Sequence, residues 1–144
     1  MVLGPGHGDA RRRLGAVSVD VRCGEARLLL ARRLIVGKLR AQLRFLELAL
    51  AERPDERKPL FDGIARLQGL AATAAEAADL GSLLGLEGAG AAGYYAALTA
   101  LFPPSLNFSG RNRRPPRDPV NACLSLGYTL LHFEAVRAAV WRGA

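Results

Sequence analysis

Between residues 24 and 52, Leu28, Ile35, Leu39, Leu43, Leu46 and Leu50 recur at spacings of three, four and seven. That period lines one face of a long helix and cannot line one face of a strand, where every second residue points the same way. A helix with a single apolar stripe has to bury it against other elements. The rest of the chain offers Leu- and Ala-rich segments for this, with few and scattered β-branched residues and only 6 % aromatics. Leu and Ala favour helix, so the fold class predicted is all-α, a helical bundle. At 144 residues the chain holds one core and is too short for two independent domains.

Arg33, Arg40 and Arg44 fall on a different face of this first helix, with Lys38 and Arg32 near it, and Pro54 marks its end. A second helix is predicted over 59–75, with Pro59 suited to its first turn. The Ala-rich stretch that follows either continues it or kinks near Thr73. "DLGSLLGLEG" reads as a short helix and turn, followed by a helix over 87–102. "FPPSLNFSGRNRRPPRDP" is the long irregular segment, after which Asp118 is an N-cap and Pro119 the first residue of a last helix. Ahead of all this, residues 1–21 read as a flexible or partly ordered lead-in, rich in glycine and basic at Arg11 to Arg13. "SVDVRC" (18–23) alternates weakly, as a short strand would, without a clear pairing partner.

The formal charge is +7, and nearly all of the positive charge is arginine. A guanidinium pairs with phosphate oxygens through two hydrogen bonds, so nucleic acid is the expected partner, ahead of an acidic membrane surface. A GC-rich genome that uses Arg in place of Lys accounts for the same excess. No stretch resembles a signal peptide or is long enough to cross a bilayer, and the expected setting is the cytoplasm. Cys23 and Cys123 lack the paired spacing of a zinc site and read as ordinary thiols.

"GLEGAGAAGYY" carries a Gly-x-Gly-x-x-Gly run at Gly88, Gly90 and Gly93. A dinucleotide loop needs a strand before those glycines and a second parallel strand later, and neither is present. No Gly-Lys-Ser/Thr follows, which removes the P-loop. The better account is close helix packing, since these residues have almost no side-chain volume. Glu87, just before them, is then an acid at a crowded helix start, where the helix dipole favours it.

Two longer stretches are more specific. "LLGLEGAGAAGYYAAL" followed by "FSGRNRRPPRDPVNACLSLGYTLL" resembles the helical catalytic domain of the CRISPR-associated spacer-acquisition endonuclease and integrase family. The shared features are Glu87-Gly88 with Tyr94 and Tyr95, the run from Arg111 to Ala122, and Gly127 to Leu131. Upstream, "ARRLIVGKLRAQLRFL" resembles the family's first long helix, with Lys38 and Gln42 at its basic and Gln positions. The resemblance implies a metal-dependent DNA endonuclease and integrase that inserts new spacers into CRISPR arrays. It implies Mg²⁺ or Mn²⁺ as the metal, and a homodimer bound to a smaller second CRISPR-associated protein. Glu87 would be the catalytic residue and the first of three metal ligands, the others being a His and an Asp.

Lys38 and Arg40, with Arg111, Arg113, Arg114 and Arg117 on the proline-stiffened loop, are the candidate DNA contacts. The loop's arginines could equally cap helix ends or pair with acids. Asp118, Asn121 and Tyr128 are expected to be structural. The family's β-rich first domain and its His and Asp ligands have no counterpart here, so 22–144 is read as an incomplete catalytic domain, inactive by itself. His132 lies in the helix before the family's ligand His, and Glu134 points off another face, so the ligand role is not moved to them. The last helix is expected to expose an apolar face. The competing reading is a non-catalytic helical module that binds DNA or protein.

Overall fold

The computed structural model describes residues 24–142. The lead-in, the strand suggested at 18–23, His7 and Cys23 lie outside the described residues. Four helices follow one another: α1 (Gly24–Glu52), α2 (Arg57–Ala75), α3 (Leu80–Thr99) and α4 (Pro119–Arg142). Single 3₁₀ turns at Pro54–Glu56 and Pro104–Leu106 lie between them, and there is no strand among the described residues. The chain is all-α, as its apolar periodicity requires.

The predicted stripe is the buried face of α1. Leu39 and Leu46 are fully enclosed, and Leu28, Ile35, Leu43 and Leu50 pack beside them. On α2, Leu60, Ile64, Leu67, Ala71 and Ala74 repeat the helical spacing and meet the stripe. α3 closes a three-helix bundle with Leu83, Ala97 and Leu98. Arg32 of α1 donates from Nε to the Ala77 carbonyl at 2.8 Å, satisfying a backbone acceptor just beyond the end of α2.

Two boundaries differ from the sequence reading. α2 begins at Arg57, two residues before Pro59, and runs past Thr73 to Ala75; Thr73 Oγ1 donates back to Gly69 O within the helix. More consequentially, α3 is one continuous helix from Leu80, not a short helix and turn with a new start at Glu87. Asp79 starts it: its carboxylate accepts from Ser82 N at 2.8 Å and Ser82 Oγ at 2.7 Å. Gly85, Gly88, Gly90 and Gly93 fail to break it because the helix is held by tertiary contact. Gly90 lies against Leu39 and Leu67, and Gly93 against Arg66. Glu87 therefore stands in the third turn, where the helix dipole no longer explains it.

α4 joins the bundle by its first three turns. Val120 and Asn121 are buried and Leu124 is half-buried, whereas Leu126, Leu130, Leu131, Phe133, Val136, Val140 and Trp141 are exposed. The expected apolar face is present. No helix among the described residues is long and apolar enough to cross a membrane.

Candidate functional site

The irregular segment between α3 and α4 is tied down by one side chain. Asn121 is fully buried, and its Oδ1 accepts from Asn112 N and from Arg111 Nη1, each at 2.9 Å. Its Nδ2 donates to Gly110 O at 2.8 Å and to Asp118 Oδ2 at 2.6 Å. Asp118 caps α4 by accepting Asn121 N on Oδ1 at 2.8 Å, and its Oδ2 also accepts from Asn112 Nδ2. Gly110 has φ 135°, a backbone state reserved for glycine, which lets the chain double back. A run of arginines and prolines that would otherwise be loose is thus folded over the start of α4.

The Asn121 side-chain amide, with the Asn121 backbone N–H and the Asn112 side-chain amide, holds the Asp118 carboxyl below its usual range. Asp79 is held low in the same way by Ser82. A carboxyl whose folded pKa is depressed contributes stability above its unfolded pKa and loses it as pH falls through the folded value. Stability is therefore expected to be flat down to about pH 4, the ordinary Asp range, and to fall below it. Denaturation midpoints measured from pH 6 to 2 check this, and Asp118→Asn should flatten part of the slope.

Arg111 is turned inward. Its Nη1 also donates to Asn112 O, its Nη2 donates to Ser125 Oγ at 3.2 Å, and its guanidinium stands 5.7 Å from the Tyr128 ring centre. The Tyr128 hydroxyl pairs with that of Tyr95 on α3 at 2.8 Å. Burial, followed by this pairing, raises the Tyr95 pKa, and burial raises that of Tyr94. Tyr94 in turn meets Phe45 of α1 edge-on.

Together these elements wall a pocket of about 320 Å³. Lys38 and Gln42 come from α1, Tyr95 from α3, Arg111, Arg113 and Arg114 from the loop, and Ser125, Tyr128 and Thr129 from α4. Lys38 also forms an ion pair with Glu87, one turn before Ala91 on the α3 wall. Lys38 thus joins the carboxylate to the cationic pocket, although α1 and the loop are some seventy residues apart in sequence.

Not every candidate gathers here. Arg40 is exposed and, two residues beyond Lys38, points off another side of α1. Arg117 is exposed, and its N–H donates to Asn112 Oδ1. Glu134 pairs with Arg137, and His132 is exposed. Sequence reasoning missed Asn112, Ser125 and Thr129 and assigned no role to Gln42. A signal for α4 existed: Asn121, Ser125, Tyr128 and Thr129 recur at i, i+4, i+7 and i+8, a polar stripe in an otherwise apolar helix.

Glu87 is the carboxylate that the described residues bring to the rim of this pocket, through Lys38. Among them no group of three His, Cys, Asp or Glu could hold an ion. Mg²⁺ accepts one or two carboxylates when water and phosphate complete its shell, so Glu87 fits as one ligand and does not make a cage.

The family model described as CRISPR associated protein Cas1 matches residues 4–143. The chain belongs to the Cas1 family. It is 44 % identical over 142 residues to a CRISPR-associated exonuclease Cas4/endonuclease Cas1 fusion of Myxococcus xanthus, covering 96 % of this chain and 25 % of that protein. Two CRISPR-associated endonucleases Cas1 of Thermus thermophilus are 45 % identical over 104 residues and 40 % identical over 117. Those matches cover 72 % and 81 % of this chain, and 30 % and 32 % of the Thermus proteins. This Cas1-family chain thus spans between a quarter and a third of the length of these three relatives. No solved structure matches it. The pocket and the Lys38–Glu87 pair lie wholly within the matched span.

Proposed function

We propose that this chain forms part of the DNA-handling site of a CRISPR-associated endonuclease and integrase, with Glu87 as a metal ligand and the cationic pocket as a phosphate contact. The observation that carries this reading is the Lys38–Glu87 pair on the rim of a pocket walled by three arginines. The relatives named above are endonucleases, and the family is one whose chemistry is set on phosphodiesters.

Lys38 holds the Glu87 carboxylate against α1, which limits its rotamers before any ligand arrives. Arg113 and Arg114 are exposed on the pocket wall and suit the non-bridging oxygens of a DNA backbone. Arg111 is already engaged by Asn121 and Ser125, so its part is to fix the loop and add charge to the wall. A divalent ion such as Mg²⁺ or Mn²⁺, when bound, polarises a phosphoryl oxygen and stabilises the charge that develops during displacement. In integration the displacing group is a DNA 3′-hydroxyl. A homodimer, a smaller second CRISPR-associated protein and a cytoplasmic setting complete the proposal.

The test is DNA binding and Mn²⁺-dependent cleavage, measured on the chain and on Glu87→Gln. Metal-dependent cutting that falls at least 100-fold in Glu87→Gln, with binding within about twofold, supports the enzyme. Binding without cutting in either protein favours the other reading, a DNA-binding helical module.

A further inference from the structure

The stripe that α1 buries is not its only apolar face. Leu30, Leu34, Gly37, Ala41, Phe45 and Leu48 also recur at spacings of three and four, and at 3.6 residues per turn they share an arc of about 80°. That arc lies away from the enclosed Leu39 and Leu46, and all six residues are exposed. Leu34 keeps 64 % of its surface, Leu48 58 %, and Leu30 and Phe45 just under half. Phe45 leans edge-on against Tyr94 at one border of the strip. The solvent side of a helix is ordinarily polar. Here the four large side chains leave on the order of 400 Å² of apolar surface in one strip, a size that marks an interaction site. Gly37 and Ala41, one turn apart in its middle, make a notch between bulky ends. A Cβ on Gly37 would meet nothing within 4 Å, so no packing among the described residues requires a glycine there.

Charge decides what the strip fits. Arg33, Arg40 and Arg44 run along one border and Arg27 stands on the other, all exposed and none in an ion pair among the described residues. Glu47 and Glu52 come only toward the end of the helix. A second copy carries the same basic borders. Antiparallel pairing would set arginine against arginine, and parallel pairing would set arginines against Arg27 and Lys38. A lipid surface has no ridge to fill the notch, and a DNA backbone would meet the arginines but leave the leucines in water.

We propose that this face of α1 docks an amphipathic helix of a partner protein, apolar along one stripe and bordered by Asp and Glu. A ridge of that helix enters over Gly37 and Ala41, Leu30, Leu34 and Leu48 lose water, and the acidic borders meet Arg33, Arg40 and Arg44. None of the six strip residues lines the cationic pocket, so the proposal stands apart from the DNA-handling reading.

The test uses three fluorescein-labelled helical peptides of three heptads, read by anisotropy against the full chain. The first has Leu at the two core positions of each heptad and Glu on both flanks. The second has Lys on the flanks, and the third keeps Glu flanks with Ser at the core. The first is expected to bind about tenfold or more tighter than either of the others. Leu34→Ser should weaken it about fivefold or more, as truncation of a central anchor does. Gly37→Leu, which fills the notch, should weaken it similarly without lowering the melting point, because the site is open and leucine favours helix. Arg33→Glu combined with Arg44→Glu should turn the preference toward the Lys-flanked peptide.

Equal binding of the three peptides, or no binding of the first, overturns the proposal. So does binding that survives Leu34→Ser and is lost in Leu130→Ser, which would place the peptide on α4. Vesicles of phosphatidylcholine with one quarter phosphatidylglycerol that bind the native chain and not Leu34→Ser would give the face to a membrane. A dimer in sedimentation that Leu34→Ser dissociates would give it to a second copy, and either result overturns the proposal. Leu34→Ser should leave DNA affinity unchanged, so failure of this reading and failure of the DNA-handling one are seen in separate assays.

Discussion

Asn121→Ala is expected to destabilise the chain by about 3 kcal/mol, because it orphans buried groups instead of merely deleting contacts. The native side chain is fully buried and makes four hydrogen bonds. Truncation leaves Asn112 N–H and Gly110 C=O without their partner, each costing roughly 1–3 kcal/mol if water does not reach it. The Asn121 N–H to Asp118 cap survives, since it belongs to the backbone, so α4 should still form. What is lost is the fold of the loop. Arg111, Arg113 and Arg114 would leave the pocket wall, and DNA binding should weaken together with stability. Urea denaturation and strand binding on the same variant check both halves. Asn121→Asp is a sharper version: it keeps the shape, but places a second carboxylate where Nδ2 now meets Asp118, and its deficit should shrink as pH falls.

Gly90→Leu is the second large effect, with an expected loss of more than about 3 kcal/mol or failure to fold. Even the Cβ of an alanine here would collide with Leu39 Cδ2 and touch Leu67 Cδ2 at 3.6 Å. Both leucines are fully enclosed, so neither has space to move away. Gly90→Ala should accordingly lose about 1–2 kcal/mol, although alanine favours helix over glycine by up to about 1 kcal/mol. Two residues earlier the sign reverses. A Cβ on Gly88 meets nothing within 4 Å, and Gly88→Ala should stabilise the chain by up to about 1 kcal/mol. Chemical denaturation of the three variants separates close packing from a glycine requirement shared by the whole run. If all three lose stability alike, the packing account of Gly90 fails.

The glycine run also marks how far the sequence could be read. Each of Gly85, Gly88, Gly90 and Gly93 disfavours helix locally, so a break before Glu87 was the natural expectation. The helix is continuous because Asp79 caps its start and because Gly90 fits against side chains that lie some fifty and twenty residues away in sequence. The cap at Asp118 and the first-turn Pro119 were legible, because both act within three residues. So was the stripe of α1, because a period needs only its own helix. Gln42 sits inside that stripe as a polar exception, and nothing in its neighbours foretells that its amide is buried without a partner.

By itself, then, the sequence determined that this is an all-helical chain of the Cas1 family, where α1 and α4 run, and which residue types were available for binding phosphate. Helical period, capping and motif are properties of short stretches, and they survive without knowledge of the rest. Only the tertiary structure decided that Lys38 meets Glu87, that Arg111 turns in toward Asn121 while Arg113 and Arg114 face outward, and that Gln42 shares their pocket. Those pairings join α1, α3, α4 and a loop, and depend on how closely three helices approach at Gly90 and Gly63, where a side chain larger than hydrogen would hold them apart.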